Sequence, residues 1–365
     1  MKIFLKQRKK SSKRFKLFCK TGLYINMVFL IIFLGSITYL AFPAFSQTYV
    51  LIKEDSNDSV KNLLSRTERR VLRTEQNLTF PRWMLANSEV DQFVKNKFNR
   101  LEEWDRYLVF RLMQENEVKR KFNISFFANG DSKVAPENSG ILASVVGTLL
   151  CMIVCMVVAV PIGVATAIYL EEFAKQNLLT HTIEVCINNL AGIPSIIFGL
   201  LGLGLFINFF GMPRSSALVG GLTLAIMSLP IIIVSTKAAL KSVDVSMKNA
   251  AEALGFTKWQ MVKGIILPLA MPMILTGSIL ALAQAIGETA PLMIIGMIAF
   301  IPDVAASLSE PTTVLPALIY NWASMPERAF LERAAAGILV LLALLVVLNL
   351  SAILLRKYFQ GKHSW

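Results

Sequence analysis

Six stretches of the chain, 24–45, 141–169, 187–210, 217–236, 269–300 and 334–355, are apolar and almost free of charge. About 20 residues at about 1.5 Å of rise cross a hydrocarbon core of about 30 Å, so each stretch predicts a spanning helix, and the chain an all-α polytopic fold. The first, LYINMVFLIIFLGSITYLAFPAF, exceeds the hydrophobic region of a cleavable signal, and no small-x-small site follows it cleanly. It is expected to stay as an anchor. Residues 46–139 replace the apolar pattern with a polar, mixed-charge segment long enough for a small domain. Within it VKNLLSRTERRVLR and the series Val90, Phe93, Val94, Phe98, Leu101 and Trp104 place apolar residues at helical spacing. That predicts a mainly helical domain broken near Pro81. FFANGDSKVAPENSG, with Asn-Gly-Asp and Pro136, reads as loop.

The stretch 237–272 predicts two short helices, VSMKNAAEAL and TKWQMVKGIIL, hinged at Gly255. Asp244 or Ser246 is placed to cap the first and Thr257 the second, and Pro268 is expected to interrupt the pattern where the chain re-enters an apolar run. Ala250, Ala251 and Ala253 make the first helix thin enough for another protein to approach closely. The same pattern fits an ordinary amphipathic connector.

Run 269–300 carries two stripes. Gly277, Ala281, Ala285 and Thr289 form a small-residue ladder that admits a close neighbour, and Thr276, Gln284 and Glu288 lie offset by one residue. Glu288 is the sole formal charge between Lys263 and Asp303. A charge facing lipid costs about 2.5–3.5 kcal/mol, so this stripe should face protein or water. Pro291 cannot donate to the carbonyl of Gly287, which predicts that the helix opens there. Gln284, Gly287, Glu288, Thr289 and Pro291 are therefore candidate pathway or gating residues; the alternative is a structural carboxylate held inside a bundle. In the third run Ala191, Ser195 and Gly199 recur around Pro194, which fits close packing or a kinked gating helix.

Charge orients the runs. Lys2, Lys6, Arg8, Lys9, Lys10, Lys13, Arg14, Lys16 and Lys20 fill the tail 1–23 with no acidic residue among them, placing the N-terminus in the cytoplasm. Six crossings return the tail 357–365 to that side, where Arg356, Lys357 and Lys362 agree, as do Lys237, Lys241, Lys248, Lys258 and Lys263. Residues 46–139 then lie outside, as a periplasmic domain. The net charge of +13 is concentrated in the tail, where topology and anionic lipid account for it and nucleic acid does not. With 55% hydrophobic against 17% charged residues, the composition is that of a membrane protein. Cys19, Cys151, Cys155 and Cys186 have no metal-ligand spacing and read as packing residues or reduced thiols. No G-x-x-x-x-G-K-[ST] loop is present, so this chain is not expected to hydrolyse ATP, any ATP and Mg would be used by a partner, and no cofactor is expected on this chain.

Asn249-Ala250-Ala251, Gly255 and Ile265-Ile266-Leu267-Pro268 follow the EAA-x3-G-x9-I-x-LP signature. In this the chain resembles permease subunits of binding-protein-dependent ABC importers. The resemblance implies a type I importer permease core over 140–356 and makes 241–267 the coupling loop, with Asn249, Ala250, Ala251, Glu252, Gly255, Ile265, Leu267 and Pro268 toward the ATPase. The leading glutamate of the motif is Asn249 here, with Glu252 one turn on. AIGETAPL, VPIGVATAIYLEEFA and LAGIPSIIFGLLGLGLF narrow the resemblance to PstA-type permeases of phosphate-specific importers. That implies phosphate as substrate, a PstC-like second permease, a PstB-like ATPase dimer, a PstS-like periplasmic binding protein and a multi-pass inner-membrane location. Many such permeases carry arginine where this chain has Gln284, so a cation near the route is expected from Arg214, Arg328, Arg333 or the second permease. An importer for another oxyanion or polar solute, and a membrane sensor, remain the competing readings.

Overall fold

The apolar runs of the sequence fold as helices, and the polar segment between the first two contains a sheet. A computed structural model describes residues 2–75, 79–132, 135–298 and 300–363. Helix α1 (Lys2–Ala41) runs without interruption from the basic tail through the first apolar stretch. A 3-10 turn, Phe42–Phe45, then passes directly into strand β1 (Ser46–Ile52).

The domain that follows has helices α2 (Asp58–Asn62), α3 (Arg66–Thr74), α4 (Ser88–Val94), α5 (Glu103–Gln114) and α6 (Ile124–Ala128). It is mainly helical, as its apolar spacing predicts. The sequence pattern does not disclose its antiparallel sheet, β2 (Arg82–Leu85), β1 and β3 (Val118–Phe122) in the order β2-β1-β3, with Tyr49 opposite Leu85 and Val50 opposite Val118. The helical series through Val90 and Trp104 is also split. Asn96 turns the chain at φ +56°, so Phe98 and Leu101 lie between α4 and α5 rather than on a helix. Val50, Ile52, Leu63, Leu64, Met84, Val90 and Val109 are the center of the domain's core.

The remaining helices are α7 (Leu142–Ile168), α8 (Leu178–Leu190), α9 (Ser195–Gly202), α10 (Ala217–Lys241), α11 (Val245–Ala253), α12 (Lys258–Met261), α13 (Leu267–Gly287), α14 (Ala290–Ile294), α15 (Leu315–Ala323) and α16 (Arg328–His363). Among the described residues five helices are long and apolar enough to cross a membrane, and a bent pair brings the number to six. That pair corrects the third predicted span. α8 and the run Ser195–Phe209 meet at 104°, because Gly192 and Pro194 stop one helix and start the next. Helix α10 lies between α7, α9 and α13, and small residues let it approach. A Cβ on Gly277 would meet Ser235 Oγ at 2.1 Å, and one on Gly202 would meet Thr223 Oγ1 at 2.3 Å. Cys151 and Cys155 are buried in this core as packing residues.

The polar domain and α11 lie at opposite ends of α7. Ile141 N–H donates to Phe126 O at one end, and Glu172, just past the other, accepts from Lys248 of α11 at 2.6 Å. The 27 residues of α7 separate them by about 40 Å.

Candidate functional site

Two groups of predicted residues lie at the two ends of one helical rod, Lys258–Gly287. At one end, Asp244 caps α11 by accepting from Ser246 N–H at 2.9 Å. Helix α11 closes on Gly255 at φ +78°, with Gly255 N–H donating to Glu252 O and Phe256 N–H to Ala251 O. This is a Schellman ending, which requires the left-handed residue that glycine supplies most cheaply. Thr257 caps α12 in a reciprocal arrangement with Gln260.

Ala251 is buried toward the bundle, whereas Asn249, Ala250, Glu252 and Gly255 are exposed. Apolar side chains stand out beside them, Leu254 at 78% and Trp259 at 62% exposure. Among the described residues four ion pairs tie this end of the bundle together: Lys248 with Glu172 at 2.6 Å, Lys237 with Glu184 at 2.6 Å and with Glu171 at 3.9 Å, and Lys241 with Glu171 at 3.8 Å. The surface of α11 is thus held in place from behind and left open in front.

Pro268 does not interrupt the chain, contrary to the sequence expectation. The helical run continues from Lys258 to Gly287 through a wide π turn at Val262–Ile266. Pro268 sits in the first turn of α13, and the wider spacing accommodates its missing N–H. Ile265, Leu267 and Pro268 are half-buried along this run, so they stiffen the connection rather than join the exposed face.

At the far end α13 stops at Gly287. Glu288 is extended (φ −79°, ψ +122°), and α14 restarts after Thr289 with Pro291 in its first turn. The predicted span over 269–300 is therefore shorter than its apolar run. Gln284 and Gly287 are exposed, Glu288 and Thr289 half-buried, and Pro291 buried. Among the described residues no side chain donates to the Glu288 carboxylate. Leu269, Met273, Thr276, Leu280, Gln284 and Gly287 form one exposed face of α13, which the described residues leave largely open, while Ala281 and Ala285 are buried against its own core.

The segment beyond the break is fixed. A Cβ on Gly199 would meet Pro291 Cα at 2.7 Å, so α9 lies directly against α14. Ser215 N–H donates to Ile295 O, Ser215 Oγ to Gly296 O at 2.6 Å, Thr313 Oγ1 to Met297 O at 2.8 Å and Asn321 Nδ2 to Ile298 O at 2.6 Å. Among the described residues, Glu288 is consequently a carboxylate without a side-chain partner between two anchored segments.

Among the described residues none of the three arginines offered as route cations pairs with it. Arg333 is buried at the domain junction among Asp91, Asp131, Glu137 and Glu332, Arg328 lies over the Phe98 ring at 5.0 Å, and Arg214 is exposed in a loop. The cation that reaches the polar stripe is Arg356, whose Nη1 donates to Thr276 Oγ1 at 2.9 Å. At the end of an apolar run it reads as a topology residue, and only the packing of α16 on α13 reveals the contact.

Residues 159–363 match the family described as binding-protein-dependent transport system inner membrane component, and residues 2–55 match a domain of unknown function. The chain is 32% identical over 229 residues to the phosphate transport system permease protein PstA 1 of Mycobacterium tuberculosis, covering 61% of this chain and 73% of that protein. It is likewise 32% identical to the phosphate transport system permease protein PstA of Yersinia pestis, over 58% of this chain and 71% of the relative. It is also 32% identical to the probable ABC transporter permease protein YqgI of Bacillus subtilis, over 47% and 58%. Among solved structures, the inward-facing MetNI methionine ABC transporter aligns with a TM-score of 0.48 at 17% identity, over 60% of this chain and 95% of that chain. A bacterial alginate ABC transporter aligns with a TM-score of 0.45 at 16% identity, over 58% and 76%.

Proposed function

Since the chain belongs to the binding-protein-dependent transport system inner membrane components, and within them to the PstA-type ABC permeases, we propose that it forms half of the pathway of an ATP-driven phosphate importer. The other half is a PstC-like permease seated on the open face of α13. A PstB-like ATPase dimer docks on α11, and a PstS-like binding protein delivers phosphate on the side of the polar domain. The termini are cytoplasmic in this reading, and the domain at 46–139 is periplasmic.

The observation that carries it is the single helical rod Lys258–Gly287, which joins the exposed α11 region to the break at Glu288. Its 30 residues span about 45 Å. Closure of the ATPases on ATP displaces α11, and the rod transmits that displacement to the break, where the backbone is already free of the helix and opens the route to one side or the other. This is a hinge motion driven by a partner.

Reconstituted with its partners in liposomes, the chain is expected to support ATP-dependent uptake of radiolabelled phosphate that excess sulfate does not suppress. Uptake of a different solute with no phosphate uptake would overturn the substrate, and phosphate uptake that persists without the ATPase would overturn the mechanism.

A further inference from the structure

Helix α3 carries Arg66, Arg69, Arg70 and Arg73 at i, i+3, i+4 and i+7, hence on one face. The four side chains line a surface cleft of about 310 Å³. Arg69 and Arg73 also line an adjoining cleft of about 620 Å³ with Lys53, Lys61 and the carboxylates Glu54 and Asp58. The two lysines are neutralised, Lys61 by Asp58 at 3.0 Å and Lys53 by Glu117. The arginines are not: among the described residues none of them is in an ion pair, and Arg69 Nε is buried without a hydrogen-bond partner.

Like charges three and four residues apart repel along a helix, so this face costs α3 stability. The remaining surfaces of the helix meet ordinary structural needs. Ser65 caps it by accepting from Glu68 N–H at 3.2 Å, and Leu72 packs on the domain core. Arg66 acts at a distance on the buried Glu137, but among the described residues no carboxylate closes an ion pair with any of the four arginines.

Guanidinium groups present planar pairs of donors that match the oxygens of a tetrahedral phosphoryl group, and several together hold it with charge-assisted bonds. The location suits such a ligand. Thr67, inside the arginine run, accepts from Asn138 Nδ2 at 2.7 Å, and Asn138 lies four residues before α7 begins. The cleft therefore stands at the foot of a spanning helix, on the same side of the bundle as the break at Glu288.

We propose that the arginine face of α3 binds a phosphoryl oxyanion through Arg66, Arg69, Arg70 and Arg73. Two sources offer that chemistry at this level, free inorganic phosphate and the headgroup of an anionic phospholipid. The choice of phosphate as a probe rests on the import reading, whereas the anion chemistry rests on the arginines alone.

The experiment uses the full chain, purified and delipidated in a phosphate-free detergent, with no ATPase or nucleotide. One arm titrates inorganic phosphate by calorimetry, and the other titrates a fluorescent phosphatidylglycerol. Arg69→Gln/Arg73→Gln is expected to weaken binding of one of the two ligands at least tenfold, and to leave the melting temperature unchanged or raised because repulsion is relieved. Arg66→Lys/Arg70→Lys keeps the charge but loses the paired donors, and is expected to lose part of the affinity; it also serves as the test should the glutamine pair not fold. Loss in the phosphate arm identifies free anion as the source, and loss in the lipid arm identifies the headgroup. Binding of both ligands that is indifferent to both variants, or absent from the parent chain, overturns the proposal. Neither result depends on transport, so phosphate uptake in the assembled importer stands or falls separately.

Discussion

Gly255 sits at φ +78° with nothing within 4 Å of where a Cβ would be, so conformation and not space reserves the position for glycine. Placing any other residue in the left-handed region costs on the order of 1 kcal/mol. A carboxylate there would additionally stand on the exposed face of α11. On the import reading, Gly255→Asp is expected to reduce phosphate uptake roughly tenfold or more, the equivalent of about 1.4 kcal/mol, while the two permeases still co-purify and the ATPase does not. Normal uptake would detach α11 from coupling. Glu288 poses the complementary test, because its carboxylate has no side-chain donor among the described residues and removing its charge breaks no ion pair. Glu288→Gln should therefore leave assembly and melting temperature unchanged and lower phosphate uptake roughly tenfold, by the same conversion. A fall in melting temperature with unchanged uptake would make it a structural residue instead.

The contact between α9 and α14 decides whether the far side of the break is fixed. Gly199 brings α9 onto Pro291, where a Cβ would lie 2.7 Å from the proline Cα and 2.9 Å from its carbonyl oxygen. Both are backbone atoms and cannot swing away, so Gly199→Ala must separate the two helices. A strained insertion of this kind costs about 1–3 kcal/mol. The expected result is a lower melting temperature together with reduced uptake, whereas Gly204→Ala, on the same run with nothing within 4 Å, should change neither. Equal behaviour of the two would show that α14 is not held by this contact. The elements themselves were legible to unequal degrees. Helix α10 and α7 follow their apolar runs to within a few residues because buried spanning helices need little besides length and hydrophobicity. Strand β3, Val118-Lys119-Arg120-Lys121-Phe122, was hidden since four of its five residues are exposed and it shows no alternation. The stop at Gly287 could be anticipated from Pro291, but the π turn before Pro268 could not, as the same missing N–H is resolved by a break in one place and by wider helical spacing in the other.

At the scale of the whole molecule, the polar domain is joined to the bundle by buried charge that no periodicity reveals. Lys97 pairs with Glu332 at 2.7 Å across 235 residues, and Asp131 Oδ1 accepts from Trp322 Nε1 at 2.9 Å across 191. Such partners are separated too far in sequence for spacing to pair them, and Arg333, a candidate route cation by sequence, is instead covered by the domain together with Glu332. Burial pushes the Asp131 carboxyl up to about 6 from 3.8, against the opposing pull of Trp322, the Ser132 N–H and Arg333. Glu137, also buried here, shifts in the same direction. A carboxyl that is harder to ionise when folded holds more protons in the folded than in the unfolded chain between about pH 4 and pH 6. The stability linked to its protonated form is present at about pH 4 and is lost as the pH rises through 6, by on the order of 3 kcal/mol. Asp131→Asn keeps an acceptor for Trp322 and cannot ionise, while Glu137 is common to both proteins and cancels in the comparison. The melting temperature of the parent chain, followed by tryptophan fluorescence, should therefore fall relative to that of Asp131→Asn between about pH 4 and pH 6.5, with the variant the more stable at pH 7. Parallel pH profiles would mean that Asp131 keeps its ordinary acidity and that water reaches the junction between domain and bundle.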